Sequence, residues 1–453
     1  MTSLTTKIAR GTFFLSLGNF VSRLISFITV IIATRGLSLF EYGVVMLVLS
    51  VTGPVNSISG LGMDELIVAD TAKSLGEGRA GGAKRLLLSF FKIKLLIVSF
   101  LILIGWFFRV ALEARYGSAI HEYFFLIVFL VLAQYLRNSF NIVFQIHQKF
   151  AELSLLSVLD VLVRFTAIVL FWQFSILNIR TAIASYVLSA LIPALICLPW
   201  IFKIVTQFYR VPQEKEGVFW PILARHGKWQ MALDISSSVI SNIKYWLIKI
   251  FLSTEAVAVF SVAQSMYSAV ASLLPLKSVM FPIIAERSNE PGVMRSLVQR
   301  STKYSLAFYL GLLAVAWFIA PPFIKVFFPK YLIGIFIFQL MALRLPLNAF
   351  SISQAPLLTV LKEQRYVFFL ALVNAASVII LMPLLMLKWG LIGAAIEGLV
   401  TVIIIISLRE IYLRRKHHLS SISLRSFFVV DKYDKMILRK IREKFHIYNI
   451  DKR

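Results

Sequence analysis

TFFLSLGNFVSRLISFITVIIAT, residues 12–34, is the stretch that decides the fold. Polar side chains recur at Thr12, Ser16, Asn19, Arg23 and Ser26, steps of four, three, four and three that keep them on one helical face. Most of the other positions are Phe, Leu, Ile and Val. A helix that is greasy on most sides, polar along one stripe and long enough to cross a bilayer lines a watery cavity inside a membrane protein. An arginine at mid-membrane costs roughly 2.5–3.5 kcal/mol even on the lenient insertion scale, so Arg23 should face something that wants a positive charge.

Composition points the same way. At 59% hydrophobic and only 15% charged, the 453 residues are far from the balance of a soluble domain and read as an all-α, multi-span membrane protein. The formal charge of +25, from 47 Lys and Arg against 22 Asp and Glu, would suggest nucleic acid in a soluble protein. Here basic cytoplasmic loops and a basic tail account for it, and no nucleic-acid partner is expected. The single cysteine, Cys197, can form no intrachain disulfide. Lys7 and Arg10 precede an apolar run as in a signal peptide, but the run is full-length and leads into further spans, so it reads as a retained first helix.

About twelve apolar runs are long enough to span, at approximately 12–34, 40–62, 86–108, 123–144, 153–174, 181–203, 229–251, 256–281, 303–320, 332–358, 366–387 and 391–408. The stretch 204–228, with Pro212, Gly217, Pro221 and QEKEG, reads as a linker. The expected domains are thus a six-helix bundle over 1–203, a cytoplasmic linker over 204–228, a second six-helix bundle over 229–409 and a basic cytoplasmic tail over 410–453. Lys7, Arg10, Lys73, Arg79, Lys84, Arg85 and Lys149 fall on the same side as the linker and tail. The opposite side offers only Arg35, Arg109, Arg115, Arg180, Lys325, Lys330 and Lys388, so both termini are expected in the cytoplasm.

Glu41 and Glu255 occupy equivalent turns after the first and seventh spans. Either this reflects a parallel repeat about an axis normal to the membrane, with a substrate path between the halves, or helix–turn–helix spacing coincides. The second span repeats small residues at Ser50, Gly53, Ser57 and Gly60 and carries Pro54, which suits close helix packing and a bend. In the tail, Tyr433, Ile437, Ile441, Phe445 and Tyr448 recur at helical spacing among Lys and Arg, the pattern either of an amphipathic helix on an anionic membrane or of a solvated basic segment. GEGRAG at 76–81 matches the dinucleotide fingerprint formally, but it follows a membrane helix rather than a strand. With no P-loop, no metal-spaced His or Cys cluster and no nucleophile elbow, neither a cofactor nor a metal nor ATP hydrolysis is expected.

The charges embedded in the spans are Arg23, Arg137, Arg164, Lys244 and Arg344 against Asp160, Asp234 and Glu397, which predicts a net positive cavity. Each has a plainer alternative. Asp160 and Arg164, four apart, can pair on their own helix, and Arg137 and Lys244 can snorkel toward the span ends. Arg23 and Arg344 are central and lack an obvious carboxylate on their own helices, which makes them the leading anion-binding residues. Glu397, in IGAAIEGLV, is either a partner for one of these two arginines or, with Asp160 and Asp234, a candidate ion-coupling site.

Two stretches carry a family likeness. ATRGLSLFEYGVVMLVLSVTGPVNSISGLGMDELIVADTAK, 33–73, resembles the start of the Wzx-type polysaccharide exporters, with their R-x-L-x-x-x-x-(F/Y)-G turn and a span ending in a GLG-like element. LKEQRYVFFLALVNAASVIILMPLLMLKWGLIGAAIEGL, 361–399, is similar to the family's last two helices and their (W/Y)-G-x-x-G-A-A-I turn. The resemblance implies the MOP superfamily fold, two six-helix bundles around a V-shaped central cavity in the cell membrane. It implies a flippase for polyprenyl-diphosphate-linked oligosaccharides, working by alternating access beside membrane lipids and other polysaccharide-assembly proteins. Arginine forks suit a diphosphate head group. The superfamily's lipid II flippases usually carry two further C-terminal spans, where this chain has its basic tail, so the resemblance points away from them.

The alternative in the same fold is a cation-coupled drug exporter, which predicts an acidic cavity against the charges counted above. A membrane-embedded polysaccharide enzyme would place acidic catalytic residues in sizeable outer loops. The longest outer loop here, 109–122, offers only Glu113 and Glu122, so no enzyme is expected.

Overall fold

A computed structural model describes residues 2–116, 122–209, 228–273, 284 and 291–421. Residues 210–227 of the expected linker, 204–228, and 422–453 of the expected tail, 410–453, lie outside the described residues, while 204–209, 228 and 410–417 are helical. Every regular element among the described residues is helical. In order they are α1 (Thr2–Gly36), α2 (Leu39–Ser59), α3 (Asp64–Gly76), α4 (Ala80–Tyr116), α5 (Phe124–Ile146), α6 (Phe150–Gln173), α7 (Ile179–Tyr209), α8 (Lys228–Phe251), α9 (Thr254–Ala271), α10 (Pro291–Phe327), α11 (Gly334–Ala342), α12 (Leu345–Val360), α13 (Gln364–Ala376), α14 (Met382–Trp389) and α15 (Leu391–His417). One π-helical turn, Ser377–Leu381, joins α13 to α14.

Each expected span overlaps a helix or a helix pair, the eighth only as far as Ala271, since 274–281 lie outside the described residues. Among the described residues nine helices are long and apolar enough to cross a membrane, or ten if α11 and α12, bent by 41°, form one broken span. The exceptions are α8 and α9. Lys228, Asp234, Lys244 and Lys249 break the apolarity of α8, while α9 is short, opens on Thr254–Glu255 and includes Gln264, Ser265 and Ser268. Apolarity alone therefore stops short of the expected twelve.

The described residues form two compact units. The first comprises Met1–Ala269, Ile319–Met341 and Arg365–Gly398, the second Val270–Phe318, Ala342–Gln364 and Leu399–Arg453.

In the first unit α6 packs on α1 and α7, and α5 on α7. Phe140, Phe144, Leu156, Ala194, Cys197 and Ile201 form the shared α5–α6–α7 core. A second core, Met63, Ile67, Leu86, Phe90, Ile142 and Ile146, seats the short α3 against α4 and α5. Ser38 fixes the entry to α2 through a capping box with Glu41: Ser38 N donates to Glu41 Oε2 at 2.8 Å and Glu41 N to Ser38 Oγ at 3.2 Å. The small residues of α2 bring it against α8. A Cβ on Gly53 would lie 2.7 Å from Asn242 Nδ2, and one on Gly43 would lie 2.1 Å from the Thr254 carbonyl oxygen. At Gly62, φ is +57° and a Cβ would approach Asp234 Cβ to 2.8 Å, so the turn after α2 needs glycine for both backbone and space.

In the second unit α10, α12 and the end of α15 are joined by buried polar contacts. Thr302 and Ser353 hydroxyls lie 2.7 Å apart, and Gln354 Nε2 donates to Glu410 Oε2 at 3.1 Å and to Ser421 Oγ at 2.9 Å. Glu363, in the turn between α12 and α13, clamps the last turn of α15. Lys416 Nζ lies 2.6 Å from Glu363 Oε1, His417 Nε2 2.9 Å from the same oxygen, and Tyr412 Oη donates to Oε2 at 2.6 Å. Burial works to raise the Glu363 carboxyl, but the hydrogen bonds from Lys416, Tyr412 and His417 outweigh it and hold it at about 2.

Candidate functional site

The polar stripe of α1 meets a polar stripe of α6. Ser22 Oγ approaches the Ser157 carbonyl at 3.5 Å, and Arg164 Nη2 donates to Ser26 Oγ at 3.3 Å. The Arg164 guanidinium also sits 4.9 Å from the centre of the Tyr186 ring on α7, a cation–π distance. Arg164 is half-buried in mid-helix, and among the described residues no carboxylate pairs with it. Its hydroxyl and ring contacts orient the fork without neutralising its charge.

The expected pairing of Asp160 with Arg164 on their own helix is not what forms. Asp160, 8% exposed, takes Arg137 of α5 instead, with Nη1 2.8 Å from Oδ1. Nearby, Asn56 Nδ2 of α2 donates to Gln134 Oε1 of α5 at 2.5 Å. Gln134 and Arg137 thus reach across to neighbouring helices, and Arg137 meets a carboxylate there rather than snorkelling.

Lys244 behaves similarly. Its Nζ lies 3.2 Å from Oε2 of Glu397, which is fully buried, and Ser377 Oγ donates to Glu397 Oε1 at 3.1 Å from the π-helical turn. The cation that Glu397 takes is thus Lys244, not the expected Arg23 or Arg344. Asp234 receives Gln230 Nε2 at 3.0 Å on its own helix, close to the Gly62 turn. Arg23 is exposed on α1. Arg344 belongs to the second unit, at the break between α11 and α12. The structure therefore brings together Arg137 with Asp160 and Lys244 with Glu397, and sets Arg164 against Ser26 and Tyr186.

Two buried charges escaped the sequence reading, Lys94 and Glu410, the latter assigned there to the tail. Lys94 of α4 is 1% exposed, with Nζ 3.0 Å and 3.1 Å from the Asp64 carboxylate oxygens and 5.4 Å from the centre of the Phe90 ring. The signal was a lysine in the middle of the apolar run FFKIKLLIV, 90–98. Asp64 opens α3, so this pair ties the short helix after α2 into the bundle.

Long apolar helices packed through buried charge pairs, with an arginine lacking a carboxylate partner among the described residues, define a polytopic membrane protein. The comparisons narrow the class. The polysaccharide biosynthesis protein family model matches residues 8–288, and the chain belongs to that family. Among solved structures it is similar to the lipid II flippase MurJ in an inward closed conformation, at 16% identity and TM-score 0.71, covering 96% of this chain and 92% of that one. An inward-facing multidrug resistance MATE transporter of the MOP superfamily matches at 16% identity and TM-score 0.67, covering 86% and 94%. A MOP superfamily transporter from Pyrococcus furiosus, described as having a binding pocket of reverse polarity that suggests a different function, matches at 16% and 0.57, covering 90% and 95%. No curated protein matches. The fold is that of the MOP transporters, and the Wzx likeness holds at the level of family and fold.

Proposed function

We propose that this transporter flips polyprenyl-diphosphate-linked oligosaccharide repeat units from the cytoplasmic to the outer leaflet of the cell membrane for surface polysaccharide assembly, without covalent chemistry. The observation that carries the reading is Arg164: a half-buried guanidinium in mid-span, oriented by Ser26 and Tyr186, with no carboxylate partner among the described residues. A cation so placed costs energy unless an anion completes it. A diphosphate supplies that anion and suits the arginine fork. Arg23 supports the same role from α1, and Arg137 and Lys244 join it if their carboxylates are exchanged for the head group. Arg344 is retained as a head-group residue of its own unit. The two-bundle organisation about 204–228, with both termini cytoplasmic, belongs to this proposal.

The drug-exporter alternative needs free carboxylates. Asp160 and Glu397 are each neutralised by a cation, which weighs against it. Asp234, which accepts a hydrogen bond from the neutral Gln230, is the residue on which it would rest. Proteoliposomes separate the two readings. The flippase reading expects movement of a short polyprenyl-diphosphate oligosaccharide and none of an organic cation, while the reverse result would replace it with the exporter.

A further inference from the structure

The first unit contains an apolar groove of about 530 Å³ between α2, α4, α5 and α8, lined by Val55, Gly105, Phe124, Val131, Ile243 and Trp246 among others. Ile250, also in its wall, is 51% exposed, so the groove opens sideways on the surface that meets lipid. Phe125 and Phe129 on α5 and Leu103 on α4 flank it as exposed hydrophobics. Close approach keeps it narrow: Gly105 lies against Phe124, where an added Cβ would come within 3.2 Å of the ring. Two cations stand at its rim on aromatic rings. The Arg109 guanidinium lies 3.4 Å from the centre of the Trp106 ring, which itself packs edge-on against Phe124, and Lys249 Nζ lies 5.6 Å from the centre of the Trp246 ring. Among the described residues no carboxylate pairs with either cation. Tryptophan with a basic neighbour is the arrangement of the membrane–water interface, where lipid phosphates lie.

An apolar slot open to the bilayer with a cationic rim fits an amphiphile of long hydrocarbon chain and phosphate head. One wall, α8, also carries Lys244, a single residue beyond Ile243 and therefore turned about 100° round the helix from it. The helix that would sense the head group thus also borders the slot. Two rim cations match the double charge of a diphosphate better than the single charge of a phospholipid phosphate. We propose that this groove holds the polyprenyl chain of the transported lipid, with the diphosphate meeting Arg109 and Lys249 when it is at the membrane surface. This rests on the flippase reading. A chain of this length cannot follow its head through a polar path, so a lateral slot keeps it in hydrocarbon while the head crosses.

The test is photolabelling of the full chain in proteoliposomes with a polyprenyl diphosphate bearing a diazirine on an isoprene near the head group. A diazirine-bearing phosphatidylglycerol serves as the comparison. Label is expected in 101–105, 124–131 and 243–250, reduced about tenfold, equivalent to one decade of affinity, by Val128→Trp. Ile250→Trp, at the open mouth where added bulk leaves the packing intact, is expected to reduce it likewise. Label spread over all lipid-facing helices, or equal labelling of the groove by the phospholipid probe, would overturn the proposal. Translocation is read in the same vesicles. If labelling is confined to the groove and lost in both variants while no lipid-linked glycan moves, the chain site stands and the flippase reading falls.

Discussion

Arg35 and Lys330 cap each other's helix ends. Lys330 Nζ donates to the carbonyl oxygens of Arg35 and Leu37 at 3.0 Å and 2.9 Å, at the end of α1, while Arg35 Nη2 donates to the Val326 carbonyl at 2.7 Å, at the end of α10. Cations at helix C-termini meet the negative end of the macrodipole. Below them Phe27 stacks on Phe323 with ring centres 5.8 Å apart, and Tyr42 meets Tyr331 edge-on. The result is a latch at the end of the first unit expected to face outward.

Opening that latch requires breaking charge-assisted hydrogen bonds at an exposed site. Arg35→Gln with Lys330→Gln is expected to favour separation of α1 from the end of α10 by about 1.4 kcal/mol, near the low end for bonds to charged groups because water screens them. With cysteines at Phe27 and Phe323 as reporters, oxidative cross-linking should slow about tenfold in the double variant. An unchanged rate would show that these two cations do not hold the end shut.

The Lys94–Asp64 pair is asymmetric, since Lys94 is 1% exposed and the Asp64 side chain 44%. Asp64→Ala strands a buried ammonium and is expected to cost about 3–5 kcal/mol, whereas Asp64→Ala with Lys94→Met should recover most of it. Thermal unfolding in detergent checks both. If the double variant is no more stable than Asp64→Ala, the pair is not the source of the loss.

Lys244→Met leaves Glu397 buried with Ser377 as a remaining hydrogen-bond donor. At neutral pH this is expected to lower stability by about 3–5 kcal/mol, with Glu397→Gln rescuing it in the double variant. Thermal unfolding in detergent at neutral pH reads both variants.

Glu363 gives a second pH dependence. Its folded value of about 2 lies below its usual 4.5, so the clamp stabilises fully above about 4.5 and weakens as pH falls through about 2. Hydrogen exchange at 418–421 should therefore be slow and flat from pH 8 to about 5 after correction for intrinsic rates, and Glu363→Gln should raise it at every pH in that range. Equal exchange in wild type and variant would remove Glu363 from the anchoring of α15.

Length and apolar run placed nearly every span in the sequence, because a bilayer crossing imposes a single strong constraint. Partner choice was less legible. Asp160 prefers Arg137 over Arg164, four residues along its own helix, because the rotational phase of α5 against α6 decides which cation arrives, and no periodicity within one helix encodes that. Lys94 was hidden by its apolar neighbours, and the π-helical turn that presents Ser377 to Glu397 has no local signature. The small residues of α2 were read for close packing, but that α8 is the helix they receive became visible only in the fold. Arg23 and Arg344 led the sequence reading because both are central. Arg164 leads now because its surroundings orient it and leave its charge uncompensated among the described residues.

The most direct measurement is the translocation rate of a short polyprenyl-diphosphate oligosaccharide in proteoliposomes, per folded protein, for wild type, Arg164→Lys and Arg164→Gln. Wild type should move it, Arg164→Gln should be slower by about a hundredfold, the loss of one charge-assisted bidentate contact worth about 2–3 kcal/mol, and Arg164→Lys should fall between. Wild-type transport undiminished in folded Arg164→Gln would contradict the claim that this arginine holds the anionic head group.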